Sequence, residues 1–396
     1  MKPLLLSRLS IVSCLGAGQA ATLAALRSGA SGLGPCTFET VNLPTHVGQV
    51  AGLDEFRLPN TFSAFDCRNN QLAEMAIAED GFERAVSAAV RRYGPRRIGL
   101  FLGTSTSGIL QAELAYRSRD VETGRLPSAF NYAETQNAGS LAAYMQQRLG
   151  IEGPAFVISC ACASTAKVFA SAARMIEAGI CDAAIVGGAD TLCLTTLYGF
   201  NALGLNAPGP CRPFDVERDG ISIGEAAGLA LLENPGIDDS DPVLLLGFGE
   251  SNDAYHMSSP HPEGLGASLA MQRALQSAGL APVDIDYINL HGTATRVGDA
   301  SEDLAVTTVF GTLTPCSSTK GQTGHTLGAA GIVEAIISVL SIRNGFRPGS
   351  ANTKAVDPSF RSQYEVSGKS VEVDTVLSNS FGFGGSNCSL ILGRPR

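Results

Sequence analysis

Pro154-Ala155-Phe156-Val157-Ile158-Ser159-Cys160-Ala161-Cys162-Ala163-Ser164-Thr165-Ala166 carries an apolar run, a small-residue turn with two cysteines, and the start of an Ala-rich segment. The apolar run predicts a buried strand over 154–158, and apolar residues at helical spacing predict a helix over 163–178. Strand, tight turn and helix in that order are one unit of an α/β fold. Cys162 then stands near a helix N-terminus, where unpaired N–H groups and the helix dipole favour thiolate over thiol. That makes Cys162 a candidate nucleophile. A cysteine in such a turn is equally a small, inert packing residue, and this stretch alone does not choose between the two.

Outward from the turn the pattern repeats. Upstream, residues 1–30 read as a strand, a glycine turn and a helix ending near Gly29. Residues 31–65 are Gly/Pro-punctuated and irregular. The spacing of Leu72, Met75, Ala76, Ile77, Phe82, Val86 and Val90 predicts a helix over 69–92, and residues 97–103 predict a strand. The loop Thr104-Ser105-Thr106-Ser107-Gly108 lacks the lysine of a P-loop and the GxGxxG spacing, so it reads as a plain tight loop.

Downstream, Ala183–Ala189 is a continuous apolar run, the mark of a parallel strand covered on both faces. The charged segment 211–220 reads as an ion-pair knot holding a turn. Residues 235–242 turn acidic and polar, the candidate junction. Beyond it come strand 243–249, helix 267–278, strand 285–290, helix 300–310, a short strand near Cys316, helix 327–342, and strands 375–378 and 388–392. Two similar halves, 1–238 and 239–396, are expected, although no residue-level repeat is visible.

Composition bounds the function. The chain has 396 residues, 44% hydrophobic and only 16% charged, so it can bury a large core. No window approaches 18 consecutive apolar residues, which argues against a membrane span. The short apolar start interrupted by Arg8 is not a secretory signal, and a cytoplasmic location is expected. Ten cysteines without a CxxC pair give neither a zinc site nor a disulfide framework, and no metal is expected. A formal net charge of −9 with no basic run excludes phosphate-backbone binding, hence nucleic acid as a partner.

Of five histidines, His46, His256 and His261 lie in loops without a motif. His291 follows the strand 285–290, at the edge where α/β folds gather ligands. His325 precedes a small-residue helix. Imidazoles at such places suit acid/base work or hydrogen bonding to a developing oxyanion. A nucleophilic cysteine with two strand-end histidines is a known catalytic geometry, but it names no substrate.

Four segments together do. Cys160-Ala161-Cys162-Ala163-Ser164, His291-Gly292-Thr293-Ala294-Thr295, Lys320 with Gly324-His325, and Asn379-Ser380-Phe381-Gly382-Phe383-Gly384-Gly385-Ser386-Asn387 occur in one order over nearly the full length. With Arg212-Pro213-Phe214-Asp215 and Arg218-Asp219-Gly220, they resemble the β-ketoacyl-acyl carrier protein synthases. The resemblance implies a thiolase-like five-layered α-β-α-β-α fold of two similar halves. It implies decarboxylative Claisen condensation of an acyl thioester carried on Cys162 with malonyl-acyl carrier protein, in fatty acid or polyene/polyketide-type elongation. His291 and His325 would promote decarboxylation and hold the enolate. Lys320 and Glu302 would orient and tune His325, with Asp299 nearby. The backbone N–H groups of Cys162 and Phe383 would form the oxyanion hole, and Phe383 between Gly382 and Gly384 would gate the acyl chain. Thr293 and Thr295 would bind the pantetheine arm.

The family needs no cofactor of its own, because phosphopantetheine arrives attached to the acyl carrier protein. That partner is acidic, so an acidic enzyme needs a local basic patch: Arg117, Arg119 and Arg125, or Arg57 and Arg68. The second subunit would be another copy, or a chain-length-factor-like protein. Chain-length factors replace the cysteine, and thiolases use a second cysteine for one histidine; Cys162, His291, His325 and Lys320 fit neither rival. Departures from the family pattern are Leu6-Ser7-Arg8-Leu9-Ser10 where Thr-Gly-x-Gly is usual, Lys167 for histidine, Arg296 for proline and Ser386 for threonine. They suggest a specialised relative.

Overall fold

A computed structural model describes residues 1–236 and 240–395. The first half is a sheet of β1 (Leu4–Ser13), β2 (Ile98–Gly103), β3 (Ala155–Ile158), β4 (Ala183–Asp190) and β5 (Ala226–Glu233), in spatial order β3-β2-β4-β5-β1. The second is β6 (Leu244–Asn252), β7 (Tyr287–Asn289), β8 (Pro315–Ser317), β9 (Thr375–Gly382) and β10 (Ser386–Gly393), in order β8-β7-β9-β10-β6. The directions match strand for strand: two parallel pairings, then two antiparallel ones, in each half. The sheets meet where Leu4 and Leu5 of β1 pair with Leu245 and Leu244 of β6.

Helices make the other three layers. The outer layer of the first half is α1 (Arg68–Ala78), α2 (Phe82–Tyr93) and α3 (Ser140–Leu149), packed on the sheet through one apolar cluster that includes Leu72, Phe82, Leu141 and Ile185. On the far side lie α5 (Leu265–Ala278) and α6 (Arg296–Phe310). Between the sheets run α4 (Ser164–Glu177) and α7 (Ala330–Asn344). The result is the expected five-layered α-β-α-β-α fold. The central helices touch where a side chain on Gly331 would meet the backbone N of Ala166 at 2.5 Å, so only glycine allows that approach.

The segment Leu327–Asn344 has the length and apolarity of a membrane span, yet 89% of it is buried inside the protein, as its central position requires. Two expectations are corrected, and a third is not tested. The helix expected over 69–92 is two helices, because Asp80 and Gly81 adopt φ of 55° and 69° and the Asp80 carboxylate receives the Gln19 N–H instead of continuing the helix. The strand 154–158 is half-buried: β3 is the sheet's last strand and its outer edge is open. The acidic junction falls partly on residues 237–239, and with it the 238/239 boundary lies outside the described residues. The segment 211–220 is the knot expected, with Arg212 paired to Glu217 and Asp219, each at 3.2 Å, while Arg218 reaches out to Asp357 at 2.7 Å and stacks over Phe360.

Candidate active site

Both halves present their β-to-α turns at the same end of the sheets, and the functional side chains come from those turns. The turn after β3 holds Ala161 at φ 49°, which directs the Cys162 side chain inward, where it is buried. The turn after β8 carries Lys320 and His325, and the loop after β7 carries His291. The His325 Nε2 lies 2.9 Å from the Cys162 Sγ. The imidazoles of His291 and His325 meet edge-on, centroids 5.3 Å apart. One ligand atom from each of Cys162, His291 and His325 falls within a mutual 4.8 Å. Residues more than 160 positions apart thus converge on one sulfur.

Burial sets the charge states. It pushes the Cys162 thiol up to about 11, outweighing the lowering by the Lys320 charge and by the backbone N–H groups of Phe383 and Cys162. The helix start therefore does not yield a resting thiolate, contrary to expectation: α4 begins at Ser164 and desolvation dominates. Burial, reinforced by Lys320, holds both histidines well below the ordinary imidazole value, so both are neutral near pH 7. Lys320 Nζ approaches His291 Nδ1 at 3.4 Å. An ammonium can only donate, so His291 carries its proton on Nε2, facing the cavity. His325 Nδ1 has no hydrogen-bond partner among the described residues, so neither tautomer is locked.

The support residues are arranged differently from the expectation. Glu302 accepts the N–H groups of His291 at 2.8 Å and Gly292 at 2.7 Å, and the Asn379 amide at 3.1 Å. Lys320 touches the ring and carbonyl of His291. Both therefore orient His291, while the Lys320 charge also helps lower His325. Lys320 is fully buried and pairs with Glu334 of α7. Glu334 was missed by sequence reasoning; its signal is a lone carboxylate in the apolar run Gly331-Ile332-Val333-Glu334-Ala335-Ile336-Ile337. Asp299 receives the N–H groups of Phe214 and Ala294, bracing the same loop.

A cavity of about 310 Å³ opens onto the sulfur, lined by Cys162, His291, His325, Thr293, Thr295 and Phe383. The two threonine hydroxyls lie 3.0 Å apart on its wall. Phe383 sits between Gly382 and Gly384, with Gly384 at φ 78° and the Phe383 ring 5.5 Å from that of Phe200. The loop Thr104–Gly108 is the plain loop expected: its donors are spent on the buried carboxylate of Asp190.

The arginines separate. Arg57, Arg117, Arg119 and Arg125 are exposed and lie outside the cavity lining. Arg68 is not a docking residue: it is buried, bidentate to Glu225 and paired with Asp54, so its charge is consumed internally. Arg296 does line the cavity. His46, His256 and His261 stay outside the cluster.

A cysteine and two neutral histidines gathered at the strand ends of two matched α/β halves define a thiolase-fold condensing enzyme. Residues 13–235 match the family described as "Beta-ketoacyl synthase, N-terminal domain", and residues 243–354 match "Beta-ketoacyl synthase, C-terminal domain". The chain belongs to the β-ketoacyl synthase family and is an acyl-transferring enzyme of chain elongation. It is 32% identical to 3-oxoacyl-[acyl-carrier-protein] synthase 2 of Coxiella burnetii, covering 98% of this chain and 97% of that one. To the mitochondrial 3-oxoacyl-[acyl-carrier-protein] synthase of Arabidopsis thaliana it is 41% identical over 268 residues, 63% of this chain and 58% of that one. Among solved structures it resembles the ketosynthase ApeO, determined in complex with its chain length factor ApeC from Xenorhabdus doucetiae. That likeness has a TM-score of 0.91 at 37% identity, covering 100% of this chain and 98% of that one.

Proposed function

We propose that the chain condenses an acyl group held on Cys162 with malonyl-acyl carrier protein, releasing carbon dioxide and giving β-ketoacyl-acyl carrier protein. The observation that carries this is the pairing of His325 Nε2 with Cys162 Sγ at 2.9 Å beside a second neutral imidazole. The protonated thiol gives its proton to His325. The thiolate attacks the incoming acyl thioester, and the proton leaves with the carrier thiol. With malonyl-carrier bound, the His291 Nε2–H, and His325 in its Nε2–H tautomer, donate to the thioester carbonyl oxygen. Loss of carbon dioxide leaves its electron pair in the enolate they stabilise. The enolate carbon attacks the acyl-cysteine carbonyl, the N–H groups of Cys162 and Phe383 hold the tetrahedral oxyanion, and the Cys162 thiolate departs and takes a proton from solvent, restoring the thiol.

Lys320 and Glu302 act here as positioning groups for His291. Thr293 and Thr295 take the amides of the pantetheine arm, and the Phe383 loop, with Gly382 and Gly384, admits the acyl chain. No separate cofactor or metal enters this cycle. Arg57, Arg117, Arg119 and Arg125 remain the carrier-docking candidates. The open edge of β3, bordered by half-buried Phe156 and Ile158, is where a second subunit would pair, either a copy of this chain or a chain-length-factor-like protein. The two halves are taken as 1–238 and 239–396, and the location as cytoplasmic.

Incubation with a panel of acyl-carrier thioesters plus malonyl-carrier protein, followed by mass spectrometry, tests the reading. A β-ketoacyl product two carbons longer is expected; no product and no carbon dioxide from any substrate overturns it. Native mass measurement after co-purification separates homodimer from heterodimer.

A further inference from the structure

Asp190, the last residue of β4, is fully buried and has no part in the chemistry above. Its carboxylate is the meeting point of six donors. Oδ1 accepts from Thr104 Oγ1 at 2.6 Å, Ser105 N at 2.7 Å, and Thr106 N and Oγ1 at 2.9 Å. Oδ2 accepts from Ser105 Oγ and from Gly328 N, both at 2.5 Å. No lysine or arginine pairs with it among the described residues.

One partner, Gly328, belongs to the His325 turn; the others belong to the loop after β2, beside the Cys162 turn. Gly328 stands three residues after His325, beyond Leu327 at φ 52°. Its carbonyl accepts the Thr165 hydroxyl of the nucleophile helix at 2.6 Å. A side chain on Gly328 would meet Asp190 Oδ2 at 2.7 Å, Ser105 N at 3.0 Å and Ala161 O at 3.3 Å, so the glycine is wedged between Asp190 and the Cys162 turn. On the other side, Thr104 N donates to Ile158 O, at the end of the strand that leads into that turn. Asp190 thus ties the His325 turn of one half to the loop after β2 of the other, and that loop holds the end of the strand that leads into the Cys162 turn.

We propose that Asp190 is a positioning residue that sets the Cys162–His325 contact on which acylation depends. Two short turns from different halves have no covalent reason to meet at hydrogen-bond distance. A buried acceptor that is satisfied only when both are seated supplies one, since leaving its donors unpaired costs free energy. Asp190→Asn is the informative change, because an amide there presents N–H to groups that themselves donate. The proposal rests on Cys162 as the nucleophile but not on carrier substrates, so iodoacetamide alkylation of Cys162 tests it apart from the condensation reading.

The Asn variant is expected to lose roughly 10- to 100-fold in acylation rate, the cost of misplacing a reacting group by a fraction of an ångström to an ångström. Its alkylation midpoint should move to lower pH, because the Asp190 charge raises the Cys162 thiol. A merely structural defect lowers malonyl decarboxylation as much as acylation, whereas a displaced Cys162–His325 contact lowers acylation the more. A folded variant with the wild-type acylation rate, or with equal losses in acylation and decarboxylation, overturns the proposal. If Asp190→Asn does not fold, Ser105→Ala with Thr106→Val removes two hydroxyl donors while keeping the backbone ones. That double variant should acylate several-fold more slowly, and a wild-type rate in it overturns the proposal as well.

Discussion

The loop after β2 and the loop after β7 occupy equivalent places in the two halves and are built alike. Each turns at the end of a short-range parallel pair, and in each a buried carboxylate collects two successive backbone N–H groups: Asp190 those of Ser105 and Thr106, Glu302 those of His291 and Gly292. They differ in the side chains presented. Thr104, Ser105 and Thr106 turn their hydroxyls back onto the carboxylate, whereas His291 turns its imidazole into the cavity. The same device makes a brace in one half and a catalytic edge in the other. The turns after β3 and β8 form a second such pair, one giving the sulfur and the other His325.

The largest expected effect separates the second pair. Cys162→Gln should abolish acyl transfer, a loss of at least about 10³-fold, while malonyl decarboxylation persists or rises; Cys160→Ser should stay active. Mass spectrometry of the enzyme and assay of released carbon dioxide check both. Next, His291→Ala should lower decarboxylation by about 10²- to 10³-fold, the worth of an oxyanion donor, with a much smaller loss in Cys162 acylation. Equal losses in the two half-reactions would dissolve the distinction between the histidines.

Glu302→Gln tests whether its loop is as dependent on a carboxylate as the Asp190 loop. An amide can satisfy only one of the two N–H donors, so a loss of about 1–3 kcal/mol in stability is expected by denaturant titration, together with slower decarboxylation. The pH profile is a gentler probe. With the Cys162 thiol raised to about 11, its alkylation rate should climb about tenfold per pH unit above neutrality, because the thiolate is the nucleophile, and level off only near pH 11. A plateau already reached by pH 8 would show that the turn holds a thiolate after all. Smallest, charge reversal at Arg117, Arg119 and Arg125 should raise KM for carrier-bound substrate a few-fold with kcat unchanged; an unchanged KM removes them from the docking surface.

Much of this was legible before folding. Strand-turn-helix patterns make Cys162, His291 and His325 candidates at strand ends, and the motifs shared with the condensing enzymes select them. The alternation of elements gave two related α/β halves with helices on both faces of a sheet, since apolar runs covered on both faces demand helices on either side; the five layers came from the family resemblance. What was misread shares a cause. The resemblance assigned Lys320 and Glu302 to His325, whereas both make their contacts with His291, and only the Lys320 charge also acts on His325. Arg68 looked like a surface charge because the sequence does not show Glu225 arriving from 157 residues away. The 69–92 helix broke at Asp80 because a carboxylate recruited by Gln19 outweighed a continuous apolar stripe.

By itself the sequence determined which residue types are available and where the most apolar strands and helices lie, because these depend on neighbours a few positions away; the helix Ser140–Leu149 and the strand Ala226–Glu233 emerged only in the fold. Only the tertiary structure decided the resting state of the sulfur and which carboxylate serves which histidine. Desolvation, and the distance between groups far apart in the chain, exist only once the two halves have closed on each other.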